Sequence, residues 1–264
     1  MKKVFRPLVP LLAAMLLPVA VFAPAIADQA INVGGTTNLA PMVAQAAKDY
    51  QGSHPGTTIT VKGSSSGAGI AALKDKSVDI AMSDVAVNDS DFADTILGVV
   101  GFAFVANPDT GIKNLTREEL ADIFSGKITN WKGVGGNDRP IVLIGREIGT
   151  GTRFVFEDKV AKTLIPIKIA ANATAVLKQV AATSGSLGYA ATGFITKDDW
   201  PLVVSYQGVV PTPDNIRNHT YAFATDEHLY TLKGAAAPVT AFVEFVKNDG
   251  DLLKANGVFA IKPR

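Results

Sequence analysis

Three times in this chain a short apolar run leads into a turn of glycine and hydroxyl residues and then into a segment of helical periodicity. That recurrence limits the fold more than any other feature. Ile31 and Val33 precede Gly34-Gly35-Thr36-Thr37-Asn38, after which Leu39, Met42, Val43, Ala46 and Tyr50 recur at helical spacing. Thr58 to Val61 alternates as a strand, Gly63-Ser64-Ser65-Ser66-Gly67 turns the chain, and residues 68–74 start a second helix. Ile141 to Ile144 reads as a strand before Gly145-Arg146-Glu147-Ile148-Gly149-Thr150-Gly151-Thr152 and a helix containing Phe154 and Phe156. Such units imply βαβ crossovers, hence an α/β protein built on mainly parallel sheets flanked by helices. Thr37 or Asn38 is the expected N-cap of the first helix, with Pro41 in its first turn. Ser83-Asp84, after the strand 79–82, reads as another capping pair, and Thr116 with Glu119 makes a capping box.

Residues 99–106 read as a buried strand broken by Asn107-Pro108-Asp109-Thr110-Gly111, so the units divide into two groups. The expected lobes are 28–104 with 221–264, and 105–220. A terminal helix over 238–255, apolar at Val239, Phe242, Val243, Phe245 and Val246, is expected to return to the first lobe. Phe124 and Trp131 are expected to pack the second lobe. At the other end, Lys2, Lys3 and Arg6 precede an apolar stretch from Leu8 to Ala23 that closes in Ala25-Ile26-Ala27, the pattern of a secretory signal peptide over 1–27. Its cleavage removes three of 25 basic residues and none of 24 acidic ones, turning the formal net charge from +1 to −2 and disfavouring a nucleic-acid partner. With no cysteine, disulfides, thiolate metal sites and a lipid-modified N-terminal cysteine are excluded. The three histidines, at 54, 219 and 228, are not at metal-ligand spacing. No metal or cofactor is expected.

The chemistry suggested by the three turns is anion binding. A helix N-terminus presents unpaired N–H groups and the positive end of the helix dipole, glycine lets backbone approach closely, and hydroxyls add donors. Arg146 adds a permanently charged fork suited to a tetrahedral oxyanion. A different class remains open, since Gly63-Ser64-Ser65-Ser66-Gly67 also matches the G-x-S-x-G elbow of α/β-hydrolases. A serine hydrolase would draw on Ser65 with an acid such as Asp214 and with His219 or His228.

Five phrases together carry a resemblance to the substrate-binding proteins of phosphate ABC transporters: Gly35 to Pro41, Gly63 to Ile70, Asp79 to Asp84, Ile123 to Trp131 and Arg146 to Thr152. The resemblance runs nearly end to end beyond the signal peptide. It implies the two-lobed type II periplasmic binding protein fold, a Venus-flytrap whose lobes are joined by a two-strand hinge and close on one dehydrated phosphate. It further implies a non-enzymatic receptor, monomeric in the periplasm, that delivers phosphate to permease subunits in the inner membrane. Carried over by motif, Thr37 and the Asn38 backbone amide meet the phosphate from the first turn, Ser65 and Ser66 from the second. Asp84 accepts the phosphate proton, Arg146 supplies the charge, and Thr150, Gly151 and Thr152 donate from the second lobe. Thr150 stands where many members have serine. Ile148 stands where some have an aspartate steadying the arginine, so that either Glu147 replaces that support or Arg146 is held less firmly. A receptor for another tetrahedral oxyanion such as sulfate is the nearest alternative.

Overall fold

One strand runs through both halves of the molecule, and the rest of the architecture follows from it. The computed structural model describes residues 29–195 and 201–261, so the expected signal peptide lies outside the described residues. In chain order the first half contains β1 (Gln29–Thr36), α1 (Ala40–Ser53), β2 (Thr57–Ser64), α2 (Ser66–Lys74) and β3 (Ile80–Ser83). The long strand β4 (Phe92–Ala106) leads into the second half. There lie β5 (Asn114–Leu115), α3 (Arg117–Phe124), β6 (Val142–Gly145), α4 (Gly151–Lys159), β7 (Lys168–Ile169), α5 (Ala173–Ala182), β8 (Ser186–Ala191), β9 (Leu202–Tyr206) and α6 (Pro213–Arg217). The chain returns through β10 (Ala224–Leu232), α7 (Ala237–Asn248), α8 (Gly250–Ala255) and β11 (Val258–Phe259).

Up to Gly101, β4 pairs with β10 and β11; from Phe102 onward it pairs with β8 and β9. The order β2-β1-β3-β10-β4 on one side thus continues as β4-β8-β6-β7 on the other. At the changeover the returning chain lies alongside, with the Phe102 N–H donating to Phe223 O at 2.9 Å and Tyr221 Oη to Phe102 O at 2.8 Å. The strand tolerates this because Leu97 to Ala106 is apolar apart from its glycines and buried throughout, the pattern of a strand covered on both faces. The parallel pairing expected from the βαβ units holds for β1 with β2 and β3, and for β6 with β7 and β8. Every pairing made by β4 and β10 is antiparallel, so the sheets are mixed. The crossing and returning strands run against the βαβ units that they bridge.

Several local expectations are met and others are corrected. Thr116 and Glu119 form the capping box of α3, and Trp131, fully buried, donates through Nε1 to Gly185 O at 2.8 Å. Phe124 packs at a tilt against Phe156 and Tyr189, which stack on each other, in the aromatic core of the second lobe. The terminal helix is in fact two, α7 and α8, broken at Asp249, whose side chain caps α8 through Leu252 N. It does pack on the first lobe, with Phe242 and Phe245 meeting Tyr50 of α1 edge-on at 5.3 and 5.2 Å. Thr37 and Asn38 do not cap α1; the cap position is Leu39, with no side-chain hydrogen bond. Asp84 caps no helix either, because irregular chain follows β3. Asn38 and Asp84 are committed to distant partners instead, and where they go defines the site.

Candidate functional site: an anion cleft between the lobes

The turns after β1, β2 and β6 converge, each at a helix N-terminus with backbone N–H groups lacking partners within the helix. The close approach of α2 to β1 depends on two glycines: a Cβ on Gly69 would lie 2.6 Å from the Gly35 Cα, and Gly35 itself has φ +136°. At the centre, on the first-lobe side, is Asp84, 1% exposed. It accepts from Thr36 Oγ1 at 2.6 Å and Ser66 Oγ at 3.4 Å on one oxygen, and from Asn38 Nδ2 at 3.2 Å on the other. Its backbone N–H donates to Ser66 Oγ at 3.0 Å, and its carbonyl accepts from Thr225 Oγ1 at 2.7 Å. Burial still pushes the Asp84 carboxyl above the usual carboxylate range, despite the donors that favour its ionised form.

The second lobe faces this network with α4. Thr152 Oγ1 donates to Asn38 Oδ1 at 2.7 Å, so the Asn38 amide spans the cleft, giving its N–H to Asp84 and taking a proton from Thr152. Gly151 sits so close that a Cβ there would lie 2.2 Å from both Asp84 Oδ2 and Thr36 Oγ1. Beside it, Arg146 is 9% exposed, forms no ion pair among the described residues, and leaves its buried Nε without a partner. Burial draws its guanidinium below the ordinary arginine range. The neighbouring Arg153 differs: its Nε is paired with Glu157 at 2.7 Å and its Nη1 donates to Arg146 O at 3.2 Å. A buried guanidinium without a counter-charge is costly, and an anion satisfies it.

Arg146, Thr37, Asn38 and Thr152 line a cavity of about 730 Å³ that extends to the N-terminus of α5 at Asn172 and to Lys178. Thr37 Oγ1 is buried there without a partner, like the Arg146 Nε. Of the expected residues, Thr37, Asn38, Arg146 and Thr152 thus meet at the cavity, while Asp84, Ser66 and Gly151 form the packed layer beside it. Ser65 Oγ caps α2 by accepting from Ala68 N at 3.2 Å, which leaves its own proton free. Thr150 is turned into its own loop, donating to Glu147 O at 2.8 Å. The Asn38 backbone N–H is engaged with Thr36 Oγ1 at 3.2 Å, so the side chain is the part that reaches across. Glu147 is exposed and forms no pair with Arg146; the short Glu147–Thr150 turn directs it to solvent.

The hydrolase constellation is not assembled. Among the described residues Ser65 has no hydrogen bond to a histidine, and His228 turns its Nδ1 to Asp94 at 2.9 Å while stacking on Tyr230. Sequence reasoning missed four residues in and around the site. Thr36 was legible only as part of the first turn; its burial follows from the pairing of β1 with β3. Asn172 and Lys178 belong to a unit without a glycine turn, and Glu227 lies in a polar stretch of β10 that carries no periodic signal.

Two α/β lobes that meet at a donor-rich cleft lined by a buried guanidinium without an ion pair among the described residues define a solute-binding protein of the flytrap type. Residues 22–249 match the family model described as a PBP superfamily domain. The phosphate-binding protein PstS of Bacillus subtilis is 31% identical over 231 residues, covering 84% of this chain and 77% of that protein. A crystal structure of an ABC-type phosphate transport receptor from Vibrio cholerae superposes with a TM-score of 0.78 at 30% identity, covering 88% of this chain and all of the other. A substrate-binding protein with bound phosphate from Clostridium perfringens shares the fold, with a TM-score of 0.77 at 24% identity. The chain belongs to the PBP superfamily and, within it, to the substrate-binding proteins of phosphate ABC transporters.

Proposed function

We propose that this protein captures inorganic phosphate in the periplasm and presents it to the permease subunits of an ABC transporter in the inner membrane, binding without turnover. The observation that carries this reading is the buried Arg146 guanidinium, its Nε without a partner, lining one cavity with Asn38, whose side chain donates to the buried carboxyl acceptor on Asp84. The guanidinium attracts an oxyanion; the carboxyl accepts a hydrogen bond only from an oxyanion that still has a proton. Phosphate near neutral pH has such a proton and sulfate has none, which favours phosphate over the sulfate alternative. Thr37, Asn38, Ser65, Ser66, Thr150, Gly151 and Thr152 complete the shell, with the Asn38 amide leaving its bridge as the anion takes over its contacts to Asp84 and Thr152. The lobes divide at 104/105 and 220/221, and the change of partners along β4 near Gly101 and Phe102 supports a hinge in that stretch. Export through the 1–27 segment and action as a monomer belong to the same reading. No described helix is long and apolar enough to cross a membrane.

Native mass spectrometry of the purified protein tests the reading directly. A retained anion of phosphate mass, displaced by added phosphate and not by sulfate, is the expected result. Covalent labelling of Ser65 by a serine-directed phosphonate, or equal competition by sulfate, would overturn it.

A further inference from the structure

Among the described residues two acids are enclosed almost completely, Asp84 at 1% exposure and Glu227 at 0%, and the anion cleft accounts only for the first. Their juxtaposition follows from the sheet. β10 runs antiparallel to β3 with Leu229 opposite Met82 and His228 opposite Ser83, so the next step sets Glu227 opposite Asp84. The Thr225 hydroxyl, bonded to the Asp84 carbonyl at 2.7 Å, holds that register beyond the end of β3. Asp84 takes three donors, from Thr36, Asn38 and Ser66, whereas neither Glu227 oxygen has a hydrogen-bond partner. Two carboxylates side by side have no donor between them. A single proton turns their contact into an O–H···O⁻ hydrogen bond, and the distribution of donors puts that proton on Glu227.

The surroundings keep it there. Burial, with Asp84 and Asp226 as negative neighbours, holds the Glu227 carboxyl well above the ordinary glutamate range. On its own strand the other titratable neighbour is His228, which is paired with Asp94 of β4. From α2 the side chain at Asp84 is the Ser66 hydroxyl, and α7 turns Val239, Phe242, Val243 and Val246 inward. Across a polar cavity of about 340 Å³, which Asp84, Asp226 and His228 also line, stand Asp158 and Lys159 of α4 and His219. No cation forms an ion pair with Glu227 among the described residues.

We propose that Glu227 is a positioning residue that carries the one proton of an Asp84–Glu227 pair and donates it to Asp84, so that Asp84 meets the bound anion as an ionised acceptor and selects an oxyanion that still has a proton. Without that donor, an incoming anion would drive Asp84 to take up a proton itself. A protonated Asp84 can donate to sulfate as well as to phosphate, and discrimination would be lost. The inference rests on the phosphate reading, and its test separates the two.

Glu227→Gln keeps an N–H donor for Asp84, and Glu227→Leu removes it. Calorimetric titration with phosphate and with sulfate at neutral pH should find the phosphate-to-sulfate ratio of Glu227→Gln within about threefold of wild type, and that of Glu227→Leu at least about tenfold lower, as expected when a hydrogen bond to a charged group is lost. An unchanged ratio in Glu227→Leu, or an equal drop in both variants, would overturn the proposal. A wild-type protein that binds no phosphate would instead defeat the functional reading. Infrared spectroscopy tests the proton on its own, and does so even where Glu227→Leu fails to fold. Wild type should show the carbonyl stretch of a protonated carboxylic acid at neutral pH, and Glu227→Gln should lack it. Absence of the band from wild type would overturn the proposal independently of any ligand.

Discussion

The two walls of the cleft solve opposite problems. On the first-lobe side the Asp84 carboxylate is supplied with donors in advance by Thr36, Asn38 and Ser66, so this acceptor is satisfied before a ligand arrives. On the second-lobe side Arg146 is buried with no ion pair among the described residues and an unpartnered Nε, so that wall is left in deficit. The deficit provides attraction and the satisfied acceptor provides choice. The contrast teaches that affinity and selectivity in this site are separable and reside in different lobes.

The comparison breaks most sharply at Asp84. Asp84→Asn can turn an N–H toward either anion, so the phosphate-to-sulfate ratio should fall by up to about 10⁴–10⁵-fold, the scale by which a site built for a substrate hydroxyl rejects analogues lacking it. Competition titrations of the two anions read this out, and an unchanged ratio would reduce Asp84 to a structural residue. Arg146→Ala should leave selectivity and lower phosphate affinity by about 3–4 kcal/mol, or roughly 10²–10³-fold, for two lost charge-assisted bonds. Arg146→Lys should fall between, since it restores charge without the planar fork. Calorimetry that finds all three equal would place the attracting charge elsewhere.

Joining the walls is a third requirement, met at Gly151. Gly151→Ala puts a methyl group 2.2 Å from Asp84 Oδ2 and Thr36 Oγ1 in the closed arrangement. Overpacking of about 1–3 kcal/mol should weaken phosphate binding and favour an open form detectable by small-angle scattering. The pH dependence of stability sharpens the same contrast on the first-lobe side. A carboxyl whose folded pKa is raised binds more protons in the folded state, so stability falls as pH rises from the unfolded to the folded value. Wild type should therefore lose stability relative to Glu227→Gln as pH climbs above about 4.3, with a slope of up to about 1.4 kcal/mol per pH unit, in chemical denaturation at a series of pH values. The smallest effect is expected from Ser65→Ala. Loss of the α2 cap should cost about 1 kcal/mol of stability, and loss of one donor a similar amount of affinity, measurable by denaturation and calorimetry on the same preparation.

Much of this was legible along the chain. The βαβ units, the capping box at Thr116 and Glu119, and the anion-ready turns all depend on residues close in sequence, where spacing and turn chemistry decide the outcome. Arg146 and Asp84 were legible through the phrases around them. What misled was also local: Asn38 and Asp84 have the composition of helix caps, and nothing nearby says that their side chains are claimed from elsewhere. Asn38 is drawn to partners 46 and 114 positions away, Asp84 and Thr152. Glu147 looked like support for its neighbour, yet a tight turn sends it to solvent.

By itself the sequence determined the elements, the turns that can hold an anion and the family, because each is written in residue types over short spans. Only the tertiary structure decided that β4 runs through both lobes, that Arg146 is left unpaired and that Glu227 stands opposite Asp84. Those outcomes depend on which distant strands share a register and which side chains are thereby shut away from water, and burial is what turns an ordinary glutamate or arginine into one that must find a proton or an anion.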